Sequence, residues 1–257
     1  MQLHVEMGAR TLLSGVDFRA EAGRLLCLIG PNGAGKSTLM RALAQQAVHG
    51  GEVRLAGEAL RGLSRPELAR RMAYLPQFTE TPPLSVLETL ELGRRARGAR
   101  PGDGAALDAL IARFGLQPYL QRPLERLSGG ERQKVMIAAT LAQEPSLLML
   151  DEPIAHLDPK NQLEVLGAVA ETTRSRGIVT LAVLHDVQLA LHFADALLML
   201  RSGALQGHLA RDAVRAEHLA ALYDVPVRLF WQEGHPYVFF GHGHEDAPAA
   251  HHHDRRE

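Results

Sequence analysis

Three things are scarce in this chain of 257 residues, and each scarcity rules something out. There is a single cysteine, Cys27. It has no partner for an internal disulfide, which excludes a disulfide-stapled scaffold and fits a reducing compartment. Net charge is almost nil, since 28 Lys and Arg face 29 Asp and Glu for a formal −1. That balance argues against binding nucleic acid by bulk electrostatics, so no nucleic-acid partner is expected. Long apolar runs are missing too. No stretch of about 18 apolar residues is available to span a membrane. The opening Met1-Gln-Leu-His-Val-Glu6 lacks the basic-then-apolar character of a signal peptide, so none is expected. Any membrane role must then come through a partner. Apolar material as such is plentiful at 46%, enough for the core of one large α/β domain or two small ones.

What is present begins with Gly30-Pro31-Asn32-Gly33-Ala34-Gly35-Lys36-Ser37-Thr38, which fits the phosphate-cradling pattern G-x-x-x-x-G-K-[ST]. Gly30, Gly33 and Gly35 let the backbone turn tightly and aim its N–H groups at a polyphosphate. Lys36 supplies a point charge for the β- and γ-phosphates, and the Ser37 hydroxyl can ligate Mg²⁺. The apolar run Leu25–Ile29 reads as a buried strand feeding this loop, and residues 36 to about 46 as a helix whose N-terminus favours anions. The run is a nucleoside triphosphate site.

Short apolar strands alternate with helical patterns, which points to a layered α/β fold. Val53–Leu55 and Met72–Leu75 read as strands, and Ser64 to Glu67 has capping-box spacing for a helix reaching Arg71. From about Phe78 to Ala142 there is no convincing β run but several helical patterns, for example Ala105 to Phe114. This segment reads as a helical insertion into the nucleotide-binding core, with an Arg- and Gly-rich loop at about 94–104 whose plain reading is a solvated surface. Strand signals return at Leu147–Leu150 and Ile178–Leu184, and Asp158-Pro159 marks a helix start between them. From about Gly241 the chain is rich in His, Gly, Ala and charge and reads as a disordered tail.

Two further constellations carry chemistry. The strand Leu147–Leu150 ends in Asp151-Glu152, whose side chains fall on opposite faces and so divide the work. Asp151 would hold Mg²⁺, directly or through water, and Glu152 would polarise the attacking water as general base. In Leu127-Ser128-Gly129-Gly130-Glu131, Ser128 and Glu131 form a capping box for a helix to about Gln143. The cap leaves the paired glycines unexplained, since each costs roughly 1 kcal/mol inside a helix. Glycines there let a phosphate approach the exposed N–H groups at the helix start, and the two roles are compatible.

The order of phosphate loop, glutamine, LSGGE, LLMLDEP and a later histidine resembles the nucleotide-binding subunit of an ATP-binding cassette (ABC) transporter. The resemblance runs from Leu3 to about Phe240. It implies an α/β phosphate-loop ATPase core with an inserted helical subdomain and an N-terminal antiparallel β region. One domain would cover 1–240, with core at about 1–77 and 143–240 and insertion at about 78–142, before the His-rich tail 241–257. It implies ATP and Mg²⁺. Gln77 matches the Q-loop glutamine that senses Mg²⁺ and the attacking water. Ser128, Gly129 and Gly130 match the signature that caps the γ-phosphate of ATP held by a second copy. Asp158 matches the D-loop at the dimer interface, and His185 the switch histidine at the γ-phosphate.

The partners implied are transmembrane permease subunits, a second copy of the chain and an external substrate-binding protein, at the cytoplasmic face of the inner membrane. The groove near Gln77 to Gly93 would receive the permease. The overall look, including Ala142–Pro145, His156–Asp158, Asn161–Val165 and Tyr223–Val227, resembles importers of iron–siderophore complexes, haem and cobalamin. An exporter subunit, or a soluble ABC ATPase of iron–sulfur assembly, are the alternatives. The family's adenine-stacking aromatic falls at Met7 here, which predicts weaker or less base-selective nucleotide binding. Ile154 and His156 stand where smaller or polar residues are common. The tail histidines (His242, His244, His251, His252, His253) have two readings, a solvated polar tail or a transition-metal ligand set.

Overall fold

The computed structural model describes residues 3–8, 10–77, 81–98, 104–155 and 157–241. The tail histidines, His156, and the start of the insertion expected at Phe78 lie outside these described residues.

Strands β1 (Leu3–Met7) and β2 (Arg10–Val16) form an antiparallel hairpin. Then follow β3 (Leu25–Ile29), α1 (Lys36–Leu43), a short hairpin of β4 (Arg54–Leu55) and β5 (Glu58–Ala59), α2 (Arg65–Arg71) and β6 (Met72–Leu75). Helices α3 (Val86–Arg95), α4 (Ala105–Arg113) and α5 (Gly129–Ala142) separate β6 from β7 (Leu147–Asp151). After these come α6 (Pro159–Arg176), β8 (Val179–Val183), α7 (Val187–Phe193), β9 (Ala196–Arg201) and β10 (Ala204–Ala210). Helix α8 (Ala216–Tyr223) and a last hairpin, β11 (Val227–Gln232) with β12 (His235–Phe240), complete the described chain.

The central sheet has the order β10-β9-β3-β8-β7-β6, parallel throughout except for β10. Both faces of a parallel sheet are covered, so its strands are near-continuous apolar runs rather than alternating ones. β3 shows this: all five of its residues are buried. Leu25, Cys27 and Ile29 face the larger core, which includes residues of α5, α6 and α7; Leu26 and Leu28 face a second core with α1 and the N-terminal hairpin. Burial in this core pushes the Cys27 thiol far up, so it is an inert packing group. Among the described residues no helix is long and apolar enough to cross a membrane.

Several boundaries differ from the expectations. α1 stops at Leu43, two residues before Gln45 takes a positive φ, rather than running to 46. Of the loop expected at 94–104, Arg94 and Arg95 belong to α3 and Arg94 is buried; charged residues can line a helix flank when their stems are covered. β9 to β12 and helices α7 and α8 were not anticipated.

Candidate functional site

The site lies where open α/β sheets bind ligands, beyond the carboxyl ends of β3, β7 and β8. β3 ends at Ile29 and the chain turns at Gly30, whose φ is +152°. A Cβ there would stand 2.0 Å from the Leu200 carbonyl oxygen on β9, so only glycine fits. Gly35 caps α1 in the left-handed region at φ +102°. The Lys36 ammonium folds back on the loop and donates to the Gly30 carbonyl at 2.8 Å and the Pro31 carbonyl at 3.1 Å. Burial lowers its pKa, while the nearby Glu152 and Asp151 carboxylates pull it back up.

At the end of β7 the two acids take different places, but strand alternation does not set them apart, because β7 ends at Asp151 and Glu152 leaves the extended conformation. Asp151 is buried; one carboxylate oxygen accepts from the Tyr74 hydroxyl at 3.3 Å. The other, Oδ1, is buried without a hydrogen-bond partner among the described residues. Burial raises the Asp151 pKa, opposed by the Ser37 hydroxyl beside it. Glu152 follows in the left-handed region at φ +55°, a conformation that costs a non-glycine residue some strain. Its Oε2 accepts from Gln77 Nε2 at 2.7 Å, and its Oε1 lies 2.5 Å from His185 Nε2. Two residues, 75 positions before Glu152 and 33 after it, thus share its carboxylate.

Glu152 and His185 border a cavity of about 450 Å³, lined also by Arg10–Leu12, Asn32–Thr38, Ser202 and Gly203; Gln77, Asp151 and Tyr74 are not among its lining residues. The volume and the donor-rich loop suit a phosphorylated ligand of nucleotide size. An orphaned buried carboxylate oxygen beside a serine hydroxyl is an all-oxygen donor set of the kind Mg²⁺ takes. Of the expected metal residues, Ser37 and Asp151 fit that ion, while the Gln77 amide is turned to Glu152.

Not every expected residue lines the cavity. Ser128 caps α5, with Glu131 closing a capping box, and Gly129 and Gly130 form the first turn of that helix. Asp158 caps α6, accepting from the Asn161 backbone at 2.8 Å and its amide at 2.7 Å. Neither group borders the cavity within one chain. Ile154 is buried in the larger core, which accounts for an apolar residue in that loop. Sequence reasoning missed Tyr74, Arg10 and Ser202. Tyr74 carried a faint signal, a hydroxyl-tipped side chain in an otherwise apolar strand; burial pushes its pKa up to about 12, so it stays a donor.

A family model described as ABC transporter matches residues 13–155, more than half of the chain. The chain belongs to the ABC transporter family. It is 43% identical over 234 residues to the hemin import ATP-binding protein HmuV of Streptomyces coelicolor, covering 89% of this chain and 83% of that one. It is 36% identical over 211 residues to the iron(3+)-hydroxamate import ATP-binding protein FhuC of Bacillus subtilis, covering 79% and 78%. A solved ATP-binding subunit of an ABC transporter superposes with a TM-score of 0.75 at 27% identity, over 86% of this chain and 99% of that one. This ABC chain is therefore a nucleotide-binding ATPase, and its fold is the α/β cassette with an N-terminal antiparallel β region.

Proposed function

We propose that this ABC ATPase powers import across the cytoplasmic membrane through separate permease subunits, with an iron–siderophore complex, haem or cobalamin as cargo. The observation that carries the catalytic half is the Gln77–Glu152–His185 array at the edge of the phosphate-loop cavity. A carboxylate held from two sides is fixed for general-base work on a water approaching the γ-phosphate. Lys36 and the loop N–H groups hold the β- and γ-phosphates. Ser37 and Asp151 would hold Mg²⁺, which when bound neutralises phosphate charge, and Gln77 would sense that ion through the Glu152 carboxylate it holds.

Each chain brings half of a complete site. Gly129 has open space where a Cβ would stand, so nothing among the described residues requires glycine there. Ser128 to Gly130 fit instead a phosphate presented by a second copy, with Asp158 near the same interface. Two copies close head to tail around two ATP molecules, and hydrolysis releases them. One domain spans 1–240 with its helical insertion at 78–142, and α3 beside Gln77 offers the permease its surface. An external substrate-binding protein supplies the cargo. The relatives named for hemin and iron(3+)-hydroxamate import support that choice of cargo.

The test is ATP turnover and dimerisation of the purified chain beside Glu152→Gln. Turnover is expected to fall by about 10²–10⁴-fold with ATP still bound and the dimer trapped. Unchanged turnover would remove Glu152 from the base role. For the cargo, haem and a ferric hydroxamate are compared as stimulants of turnover by the chain assembled with its permease and binding protein.

A further inference from the structure

The edge strand β6 runs parallel to β7, and Tyr74 is in register with Met149. Side chains two apart on a strand share a face, so Tyr74, Met149 and Asp151 stand on the same side of the sheet. That is the α1 side. Met149 is buried in the second core with Tyr74 packed against it, whereas Leu75 and Leu150 belong to the larger core. Tyr74 is thus one step behind Asp151 on this face, and its hydroxyl reaches Asp151 Oδ2 at 3.3 Å.

The result is an asymmetric carboxylate. Oδ2 has the phenol, while Oδ1 is buried with no hydrogen-bond partner among the described residues. Ser37, in the first turn of α1, brings its hydroxyl beside the same group. The Arg41 guanidinium, which can only donate, is also at the Tyr74 hydroxyl, so the hydroxyl's own proton is left for Asp151. The other residues of β6, Met72, Ala73 and Leu75, are apolar. Packing there asks only for a ring; the oxygen has its use at Asp151. Three residues further on, Gln77 holds Glu152 in the same way. One short segment therefore grips both acids at the end of β7.

We infer that Tyr74 is a positioning residue for the metal: by holding Asp151 Oδ2 it keeps Oδ1 fixed and free for a Mg²⁺ ion shared with Ser37. The inference rests on the nucleotide site proposed above and adds to it a residue that does not line the cavity. Partners behind a ligating carboxylate govern metal affinity by about 10- to 100-fold.

Tyr74→Phe in the full-length chain removes the hydroxyl and keeps the ring. Thermal unfolding with saturating ADP is followed as Mg²⁺ is raised, and the midpoint concentration of the Mg²⁺-dependent rise in Tm is read. In Tyr74→Phe this midpoint is expected to move up by about 5- to 50-fold, with ADP affinity in EDTA, by calorimetry, within about twofold of wild type. In turnover, half-saturating Mg²⁺ is expected to rise by a similar factor, with kcat at saturating Mg²⁺ within about threefold of wild type. Added to Asp151→Asn, whose metal ligand is already gone, the same change is expected to contribute less than about twofold. A Mg²⁺ midpoint within about twofold of wild type in Tyr74→Phe overturns the proposal. So does a loss of metal-free ADP affinity as large as the shift in the midpoint, the mark of a merely structural hydroxyl. A wild type whose Tm responds to ADP neither with nor without Mg²⁺ overturns the nucleotide-site reading itself, an outcome distinct from a Mg²⁺ response that ignores Tyr74.

Discussion

His185 Nε2 lies 2.5 Å from Glu152 Oε1, while Gln77 holds the other oxygen of the same carboxylate at 2.7 Å. Glu152 is mostly shielded and His185 about half exposed, so the histidine is the side of the array open to the cavity. Removing either neighbour leaves the carboxylate held from one side only. His185→Ala and Gln77→Ala are each expected to lower turnover by about 10- to 10³-fold, with equilibrium ATP affinity within about threefold of wild type. Because both act through Glu152, the double variant is expected to lose less than the product of the single losses. Fully multiplicative losses in steady-state kinetics would show that the two residues act independently.

Gly30 and Gly33 make a sharper contrast than their shared motif suggests. A methyl group on Gly30 would meet the Leu200 carbonyl at 2.0 Å, a backbone atom that cannot rotate away. Gly33, at φ +76°, has open space around the same position. Gly30→Ala is expected to destabilise the fold by about 2–4 kcal/mol and to abolish measurable nucleotide binding. Gly33→Ala carries only left-handed strain, about 1 kcal/mol, and is expected to keep the fold. Thermal unfolding of the two variants side by side checks this, and equal losses would contradict the packing argument.

The Asp151 carboxylate is kept for function at a cost to the empty protein. Its Oδ1 is buried with no hydrogen-bond partner among the described residues, and burial raises its pKa against the opposing Ser37 hydroxyl, so the ionised form is disfavoured in the fold. An amide at this position carries no charge to desolvate. Asp151→Asn is expected to stabilise the metal-free protein by about 1–3 kcal/mol, a shift of several degrees in Tm, while turnover with Mg²⁺ and ATP falls by at least about 10²-fold. A variant less stable than wild type without metal would show that Asp151 is already well satisfied.

Much of this was legible because it is local. The phosphate loop and LLMLDEP are contiguous, and buried parallel strands such as β3 and β7 announce themselves as unbroken apolar runs. Capping boxes at Ser64, Ser85 and Ser128 all form; all three share the Ser-x-x-Glu spacing, and only the one at Ser85 was overlooked. What stayed hidden depends on distance in sequence. Arg10 and Ser202 reach the cavity only because β2 and the β9–β10 turn pack on Ala34 and Gly35. Arg94 looked like surface because its burial comes from tertiary packing, which no local pattern reports. β11 and β12 did carry a local signal, two runs rich in aromatic and branched residues around Glu233-Gly234, and that hairpin was overlooked rather than hidden.

The cap at Ser128 gives the signature helix a pH dependence of definite sign. The Glu131 carboxylate accepts from the Ser128 backbone and hydroxyl, each at 2.8 Å, and the Ser128 oxygen accepts in turn from the Glu131 backbone at 3.3 Å. The backbone donor first, then the hydroxyl, with Tyr119 adding a further hydrogen bond, hold the Glu131 pKa below its ordinary 4.5. A carboxyl depressed in the folded state adds stability that is complete above the unfolded value and is lost as pH falls through the folded one. The start of α5 is therefore expected to stay capped at neutral pH and to fray below about pH 4.5, ahead of the buried core. Carboxyl titration of Glu131 by NMR reads this directly, together with hydrogen exchange at the first turn of α5. A Glu131 that titrates at or above 4.5, or first-turn amides with no change across that range, would leave the paired glycines without a carboxylate holding their helix end in place.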